Sequence, residues 1–231
     1  MENGSLSIAF ADSLSEDSIS CVSEFAELGL DAIMDDGLLK DIPFVSTMIA
    51  VYKISGNIKE RHNLKKLLIF LKSLNNDILD NQKRLEYRQK FQSNEKFRNR
   101  EIEYLLVLID RYVSYDKPQM LAKLYLAYLD GIIIWEELIM YAEVIDRFLL
   151  LDCSTLISAD GKITVHRNIG GESVLRLVSL GLMAETTEYS PFVQHGDGNF
   201  GLTIEGLKKS ILTDRIYRRT EFGDKLAEIL R

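Results

Sequence analysis

Side chains that commonly catalyse reactions are scattered through this sequence and do not form a motif. The histidines His62, His166 and His195 fall in separate segments, and neither Cys21 nor Cys153 has a histidine or a second cysteine nearby. The chain contains no His-Glu-x-x-His, Gly-x-Ser-x-Gly or Gly-x-x-x-x-Gly-Lys-Ser/Thr pattern, so zinc, acyl-transfer and P-loop chemistry have no sequence support. We therefore expect a protein that is not an enzyme and that holds neither a cofactor nor a metal.

Acidic pairs also have a structural explanation. Glu136-Glu137 lies at the start of a predicted helix, where carboxylates complement the helix dipole, and Asp35-Asp36 follows the end of another, where carboxylates improve solubility. Around Asp130-Gly131, an EF-hand would need acids or amides at alternate positions before the glycine, but Tyr128 and Leu129 stand there. The sequence therefore predicts a corner between two helices at this point and no calcium loop.

Composition favours a helical globular protein. The chain has 231 residues, of which 46% are hydrophobic and 27% charged, and it contains only three prolines. Its net charge of −7 is uneven: residues 1–60 hold 3 basic and 11 acidic side chains, whereas residues 61–153 hold 15 and 14. An acidic chain has no general attraction to nucleic acid or anionic lipid.

The expected compartment is the cytoplasm. Two cysteines are too few for a disulfide framework, and the first basic residue, Lys40, is too late for a signal or transit peptide. The longest uncharged run, Ile42–Tyr52, has eleven residues, whereas a membrane span needs about 20. We therefore predict no transmembrane segment.

The fold class predicted is mainly α, with an acidic flexible tail over 1–19, a helical bundle over 20–153 and a small α+β domain over 154–231. Apolar spacing predicts helices over 20–34, 43–54 and 59–74 in the bundle. In the helix over 59–74 this spacing places five leucines on the inner face and Lys66, with other basic residues, on the polar face. The five are Leu64, Leu67, Leu68, Leu71 and Leu74. The last helix predicted in the bundle runs from Ile134 to Leu151. Its apolar stripe covers about two-thirds of the circumference, so we expect neighbouring helices to wrap it.

The predicted helix over 43–54 is apolar on nearly all sides. Burial in the core explains this pattern most simply, and a helix that docks on a membrane or a partner is the alternative. The candidate docking residues are Pro43, Phe44, Met48 and Val51.

Residues 78–100 form a basic stretch with interleaved aromatic residues. The stretch holds seven lysines and arginines against three acidic residues, Asp80, Glu86 and Glu95. A solvated helix face explains it most simply. Two alternatives remain, namely contact with nucleic acid and pairing with the acidic N-terminal quarter of the same molecule.

The amino-acid composition changes after Cys153, where glycine, threonine and β-branched residues become more frequent. A strand is predicted over 162–166 and a helix over 172–180, and Thr220 is placed to cap a final helix as the chain leaves a strand. Leu177–Leu182 and Tyr217–Leu230 resemble the C-terminal half of bacterial winged-helix domains. The resemblance implies either protein binding or DNA binding, and the candidate DNA-binding residues are Arg176, Arg215, Arg218 and Arg219.

Two further resemblances concern the bundle and the whole chain. The phrase DGIIIWEEL, from Asp130 to Leu138, resembles TerB-like helical domains associated with bacterial tellurite resistance. The overall layout resembles uncharacterised bacterial helical proteins with a winged-helix-like end. These resemblances imply a bacterial adaptor or scaffold that binds another protein in a stress or phage-defence system. DNA binding, membrane association and assembly with another copy of the chain stay open.

Overall fold

The structure is a computed structural model, and it describes residues 58–76, 93–159, 163–165, 171–186 and 215–231, with positions 86, 89 and 90. The described residues are mainly helical, as predicted, with one small antiparallel sheet. The chain divides into two compact units, residues 1–147 and 148–231. The domain boundary expected after residue 153 lies inside a helix of the second unit.

Four described helices build the first unit: α1 (Ile58–Asn76), α2 (Glu95–Arg111), α3 (Asp116–Leu129) and α4 (Trp135–Arg147). α1 packs against α2 and α3, and α4 packs against α2 and α3. The predicted inner face of α1 is confirmed. Its leucines are at most 5% exposed: Leu64, Leu67, Leu68, Leu71 and Leu74.

Lys66 departs from the pattern expected for α1. The sequence places it on the polar face, but the residue is only 1% exposed. Its ammonium group donates hydrogen bonds to the carbonyl oxygens of Asp110 at 2.9 Å and Tyr112 at 2.6 Å. These carbonyls lie at the C-terminal end of α2, where helix carbonyls lack partners within the helix. The expectation for Lys66 was therefore wrong, because a lysine can be buried when its ammonium group caps a neighbouring helix.

The corner between α3 and α4 is confirmed as a structural turn. Gly131 has a φ of 73°, in the left-handed region that suits glycine. Its amide donates to the Tyr128 carbonyl at 3.0 Å. The Glu137 carboxylate accepts a hydrogen bond from the Ile134 amide at 2.9 Å, so one acid of the Glu136-Glu137 pair caps the start of α4.

The expectation that one helix extends to Leu151 with neighbours on most sides was wrong. α4 ends at Arg147, and a new helix begins at Leu150. The buried face of α4 is narrow, since Met140 is 54% exposed, and Ile134, which precedes the helix, is 60% exposed. The helix ends early because the Asp152 side chain accepts a hydrogen bond from the Leu149 amide and so starts the next helix.

The described elements of the second unit are, in chain order, α5 (Leu150–Ser158), β1 (Ile163–Val165), α6 (Glu172–Ser179), β2 (Met183–Thr186), β3 (Arg215–Arg219) and α7 (Glu221–Leu230). The strand order is β1-β3-β2, and both pairs are antiparallel, with Tyr217 opposite Ile163 on one side and Glu185 on the other. The predicted strand at 162–166 and helix at 172–180 are therefore confirmed to within two residues.

Thr220 caps α7 as the sequence predicts. Its hydroxyl oxygen accepts a hydrogen bond from the Gly223 amide at 3.0 Å and donates one to the Gly181 carbonyl at 2.7 Å. The Thr220 amide donates to the Leu182 carbonyl at 3.0 Å. This one residue thus joins the start of α7 to the turn between α6 and β2.

Candidate interaction surfaces

The carboxylate of Asp152 organises the packing of α5 against α6. Asp152 is fully buried, and its oxygen atoms accept hydrogen bonds from the Ser173 hydroxyl at 2.7 Å and from the Arg176 guanidinium at 2.7 and 3.0 Å. Arg176 also donates to the Ser173 hydroxyl at 3.1 Å. Ser173 and Arg176 lie three residues apart, on one face of α6, so both reach the same carboxylate.

The surroundings of Asp152 favour the charged form of its carboxyl group. Burial by itself raises the pKa of this carboxyl group, but the hydrogen bonds from Arg176, Ser173 and the Leu149 amide outweigh burial and lower it. A buried ion pair that loses one partner leaves an uncompensated charge, which is strongly destabilising. The network therefore fixes α5 and α6 rigidly relative to each other.

Four exposed leucines neighbour the residues of this network in the sequence. Leu149, Leu150 and Leu151 immediately precede Asp152, and they are 53%, 61% and 65% exposed. Leu175 immediately precedes Arg176 and is 56% exposed. We call these four residues the leucine surface. The sequence places Leu149–Leu151 on a buried helix, so their exposure is a correction that follows from the early end of α4.

Three of the four predicted DNA-binding arginines form ion pairs with described carboxylates. Arg176 binds Asp152, and Arg219, whose side chain is only 12% exposed, binds Asp224 at 2.6 Å and the Leu156 carbonyl at 3.0 Å. Arg215 is exposed and lies 3.6 Å from the Glu185 carboxylate, and Arg218 is exposed. The structure places Arg215, Arg218 and Arg219 on β3, whereas Arg176 lies on α6.

The other predicted site lies elsewhere in the sequence. Pro43, Phe44, Met48 and Val51 are outside the described residues. Across the described ranges, no helix is both long and apolar enough to cross a membrane. In the same ranges, no group of three or more histidine, cysteine, aspartate or glutamate side chains is arranged to hold a metal ion.

The first unit carries a groove of about 860 Å³ along α2, which we call the α2 groove. Its lining side chains recur at four-residue steps in two rows. The rows are Glu95, Asn99, Glu103 and Val107, and Lys96, Arg100 and Tyr104. Two polar atoms of these residues, Asn99 Oδ1 and the Tyr104 hydroxyl oxygen, are buried without a hydrogen-bond partner in the part of the chain that the structure describes.

Aromatic rings and a cation adjoin the α2 groove. The Arg100 guanidinium lies 5.5 Å from the centre of the Trp135 ring. Trp135 makes edge-on contacts with Tyr104 and Tyr128, with ring centres 5.7 and 5.4 Å apart. Such ring pairs and cation–π contacts fix side chains in one arrangement, so this end of the groove is preformed.

Glu101 is a buried acid that the sequence does not single out. The hydroxyl groups of Tyr125 and Tyr128 donate hydrogen bonds to its two oxygen atoms at 3.0 and 2.8 Å. Burial raises the pKa of Glu101 to about 7, although the Tyr128 hydrogen bond and the charges of Arg100 and Lys90 oppose the increase. Its only sequence signal is its position beside Ile102, at the start of an apolar stretch.

Comparison of the chain with protein-family models, with curated proteins and with solved structures gives no match. Function must therefore be inferred from the surfaces themselves.

Proposed function

We propose that this protein is a non-enzymatic adaptor that binds another protein through the leucine surface of its second unit. The observation that carries the proposal is the exposure of four leucines, at 53–65%, next in sequence to the Asp152–Arg176 ion pair. Large exposed apolar side chains that lie together commonly mark interaction sites.

The energetics of burial favour this proposal. Full burial of one leucine side chain stabilises a complex by about 1.5–3 kcal/mol, so four partly exposed leucines offer a useful share of a binding free energy. The Asp152–Arg176 network immobilises the elements that carry them, which lowers the conformational entropy that binding would remove. Such a surface suits a stable partner protein.

DNA binding through a winged-helix-like second unit is the alternative. The strand order β1-β3-β2, with α6 preceding β2, supports the winged-helix-like interpretation, and the exposed Arg215 and Arg218 offer contacts for phosphates. The binding face of α6 is a weaker match, since it exposes Glu172 and Leu175 and its one arginine binds Asp152. We therefore favour a protein partner for this unit.

The cellular setting is part of the same proposal. The resemblance to bacterial helical proteins supports a bacterial, cytoplasmic adaptor in a stress or phage-defence system. A membrane-associating role would depend on the segment around Phe44 and Met48, and the leucine surface does not require it.

Affinity capture with the tagged full chain tests the proposal. Leu151→Asp combined with Leu175→Asp introduces two charges into the leucine surface, and a bound protein should then be lost. Leu151 lies in the first turn of α5, where an aspartate suits the helix dipole, so folding should persist. Circular dichroism of the variant checks this point.

Val113→Asp is the matched control, because Val113 is 83% exposed and belongs to the first unit. We expect this variant to retain a stoichiometric partner, and nuclease treatment to leave the recovery unchanged. Retention of the partner by the double variant would contradict the proposal. Recovery that disappears with nuclease would instead favour the DNA-binding alternative.

A further inference from the structure

The buried acid Glu101 is held between α2 and α3 by two tyrosine hydroxyl groups. The residue is 0% exposed, and the hydroxyl oxygens of Tyr125 and Tyr128 lie 3.0 and 2.8 Å from its two carboxyl oxygens. A carboxyl group shielded from water is stabilised in its neutral form, because surroundings of low dielectric constant disfavour the charge. Ionisation of Glu101 therefore favours a movement that admits water to it.

The two tyrosines differ in how firmly the fold holds them. Tyr125 is 0% exposed, and its ring centre lies 6.2 Å from that of Phe70 on α1, which is also 0% exposed. Tyr128 is half-buried and lies next to the last residue of α3. Movement of Tyr128 therefore disturbs fewer packed side chains than movement of Tyr125, and water reaches Glu101 more easily from the Tyr128 side.

Trp135 connects Tyr128 to the start of α4. The two ring centres are 5.4 Å apart in an edge-on contact, and Trp135 is the first residue of α4. Residues 130–134 lie between the two rings, and we call them the α3–α4 corner. Ile132 and Ile134 of this corner are 57% and 60% exposed. Segments with exposed side chains open at a lower free energy than the core of a fold, so Tyr128 and Trp135 flank a segment suited to move.

We propose that Glu101 is a pH-sensitive latch for the α3–α4 corner. While the carboxyl group is neutral, the corner stays closed and Tyr128 keeps its contact with Trp135. When the carboxyl group ionises, Tyr128 moves outward, water reaches the charge, and Trp135 becomes more exposed. The first unit thus presents a larger apolar surface at high pH than at low pH.

The groups around Glu101 agree with this role. Burial is the largest influence and raises the pKa of Glu101 to about 7, whereas neighbouring charges and the Tyr128 hydrogen bond oppose the increase. The charged groups that act on Glu101 or on Tyr128 include Arg100, Lys90 and Glu136. On α1, Lys66 and His62 form hydrogen bonds at or beyond the C-terminal end of α2. Glu101 is therefore the acid in direct contact with the tyrosine beside the corner.

Fluorescence of the full chain tests the latch, because Trp135 is the single tryptophan in the sequence. As the pH rises from about 4.5 to 7, we expect the emission to shift to longer wavelength and acrylamide to quench it more strongly. A pKa of about 7 in the closed state and 4.5 in the open state raises the ratio of open to closed molecules by about 100-fold or more over this range. Far-ultraviolet circular dichroism should stay constant, because the helices remain folded.

Glu101→Gln should make the fluorescence independent of pH, since glutamine does not ionise and can still accept hydrogen bonds from both tyrosines. Glu103→Gln is the matched control, because it removes an exposed carboxylate from the same helix. This control should keep the fluorescence change of the unaltered protein.

Tyr128→Phe is a second variant that leaves the acid in place. The hydrogen bond from Tyr128 lowers the pKa of Glu101, so its loss should raise that pKa further. We therefore expect the fluorescence change of this variant to continue to higher pH than that of the unaltered protein.

Four outcomes would overturn the proposal. They are an emission that does not change with pH, a change that Glu101→Gln leaves intact, a change that ends at the same pH in Tyr128→Phe, and a change accompanied by loss of helix. The last outcome would show unfolding of the whole unit in place of a local opening. The latch does not involve the leucine surface, so its failure would leave the adaptor proposal intact.

Discussion

The Glu101 carboxyl group lies in the interior of the first unit, where Tyr125 and Tyr128 donate hydrogen bonds to it. The pKa of Glu101 is about 7, compared with 4.5 for an ordinary glutamate. Between these two pH values the folded chain holds a proton that the unfolded chain has released. Stability therefore falls as the pH rises from about 4.5 to 7, by a few kcal/mol at about 1.4 kcal/mol per pKa unit.

Glu101→Gln should remove this dependence, because glutamine stays uncharged and can still accept a hydrogen bond. The measurement is urea unfolding of both proteins at several pH values from 4.5 to 8. Glu103→Gln, at an exposed neighbour on α2, should keep the pH dependence of the unaltered chain. An equal slope for the Glu101→Gln variant and the unaltered protein would show that Glu101 is not the group responsible.

Single buried polar side chains were the least predictable features of this molecule. Apolar spacing identifies the inner leucines of α1, but it places Lys66 outside, because periodicity cannot represent an ammonium group that caps another helix. The sequence likewise predicts Arg176 as a DNA contact, because it does not reveal the carboxylate that Arg176 binds. Its partner, Asp152, is 24 residues distant in sequence, and only the packing of α5 on α6 brings the two together.

At the level of elements, the close approach of α7 to Leu182 leaves no space for a side chain at Gly223. A Cβ atom at this position would overlap the Leu182 carbonyl group, which is backbone and cannot move aside easily. We expect Gly223→Ala to destabilise the second unit by about 1–3 kcal/mol, the usual cost of overpacking. Thermal unfolding measures the effect. Ala227→Gly, in the same helix, is not a packing change of this kind and should cost about 1 kcal/mol or somewhat more.

Elements with strong local signals were predictable. The five leucines of α1, the strand at 163–165 and the Thr220 cap each follow from spacing or from one side-chain hydrogen bond. The end of α4 was not predictable, because the apolar run through Leu151 continues past it. There the helix ends where the Asp152 carboxylate can both accept from the Leu149 amide and bind Arg176, a tertiary requirement that periodicity does not contain. The exposure of the leucine surface was missed for the same reason.

On the scale of the whole molecule, the chain divides after Arg147 into two units, each with its own buried side chains. Tyr125 and Ile145 belong to the first core, and Leu177 and Leu226 belong to the second; all four are fully buried. Domains with separate cores can unfold in separate transitions. We therefore expect calorimetry of the full chain to resolve two transitions.

Gly223→Ala and Glu101→Gln show which unit gives rise to each transition. Gly223→Ala should lower the temperature of one transition and leave the other unchanged, because its contacts lie wholly within residues 148–231. Glu101→Gln should alter the pH dependence of the other transition only. A single transition that responds to both substitutions would show that the two cores unfold together.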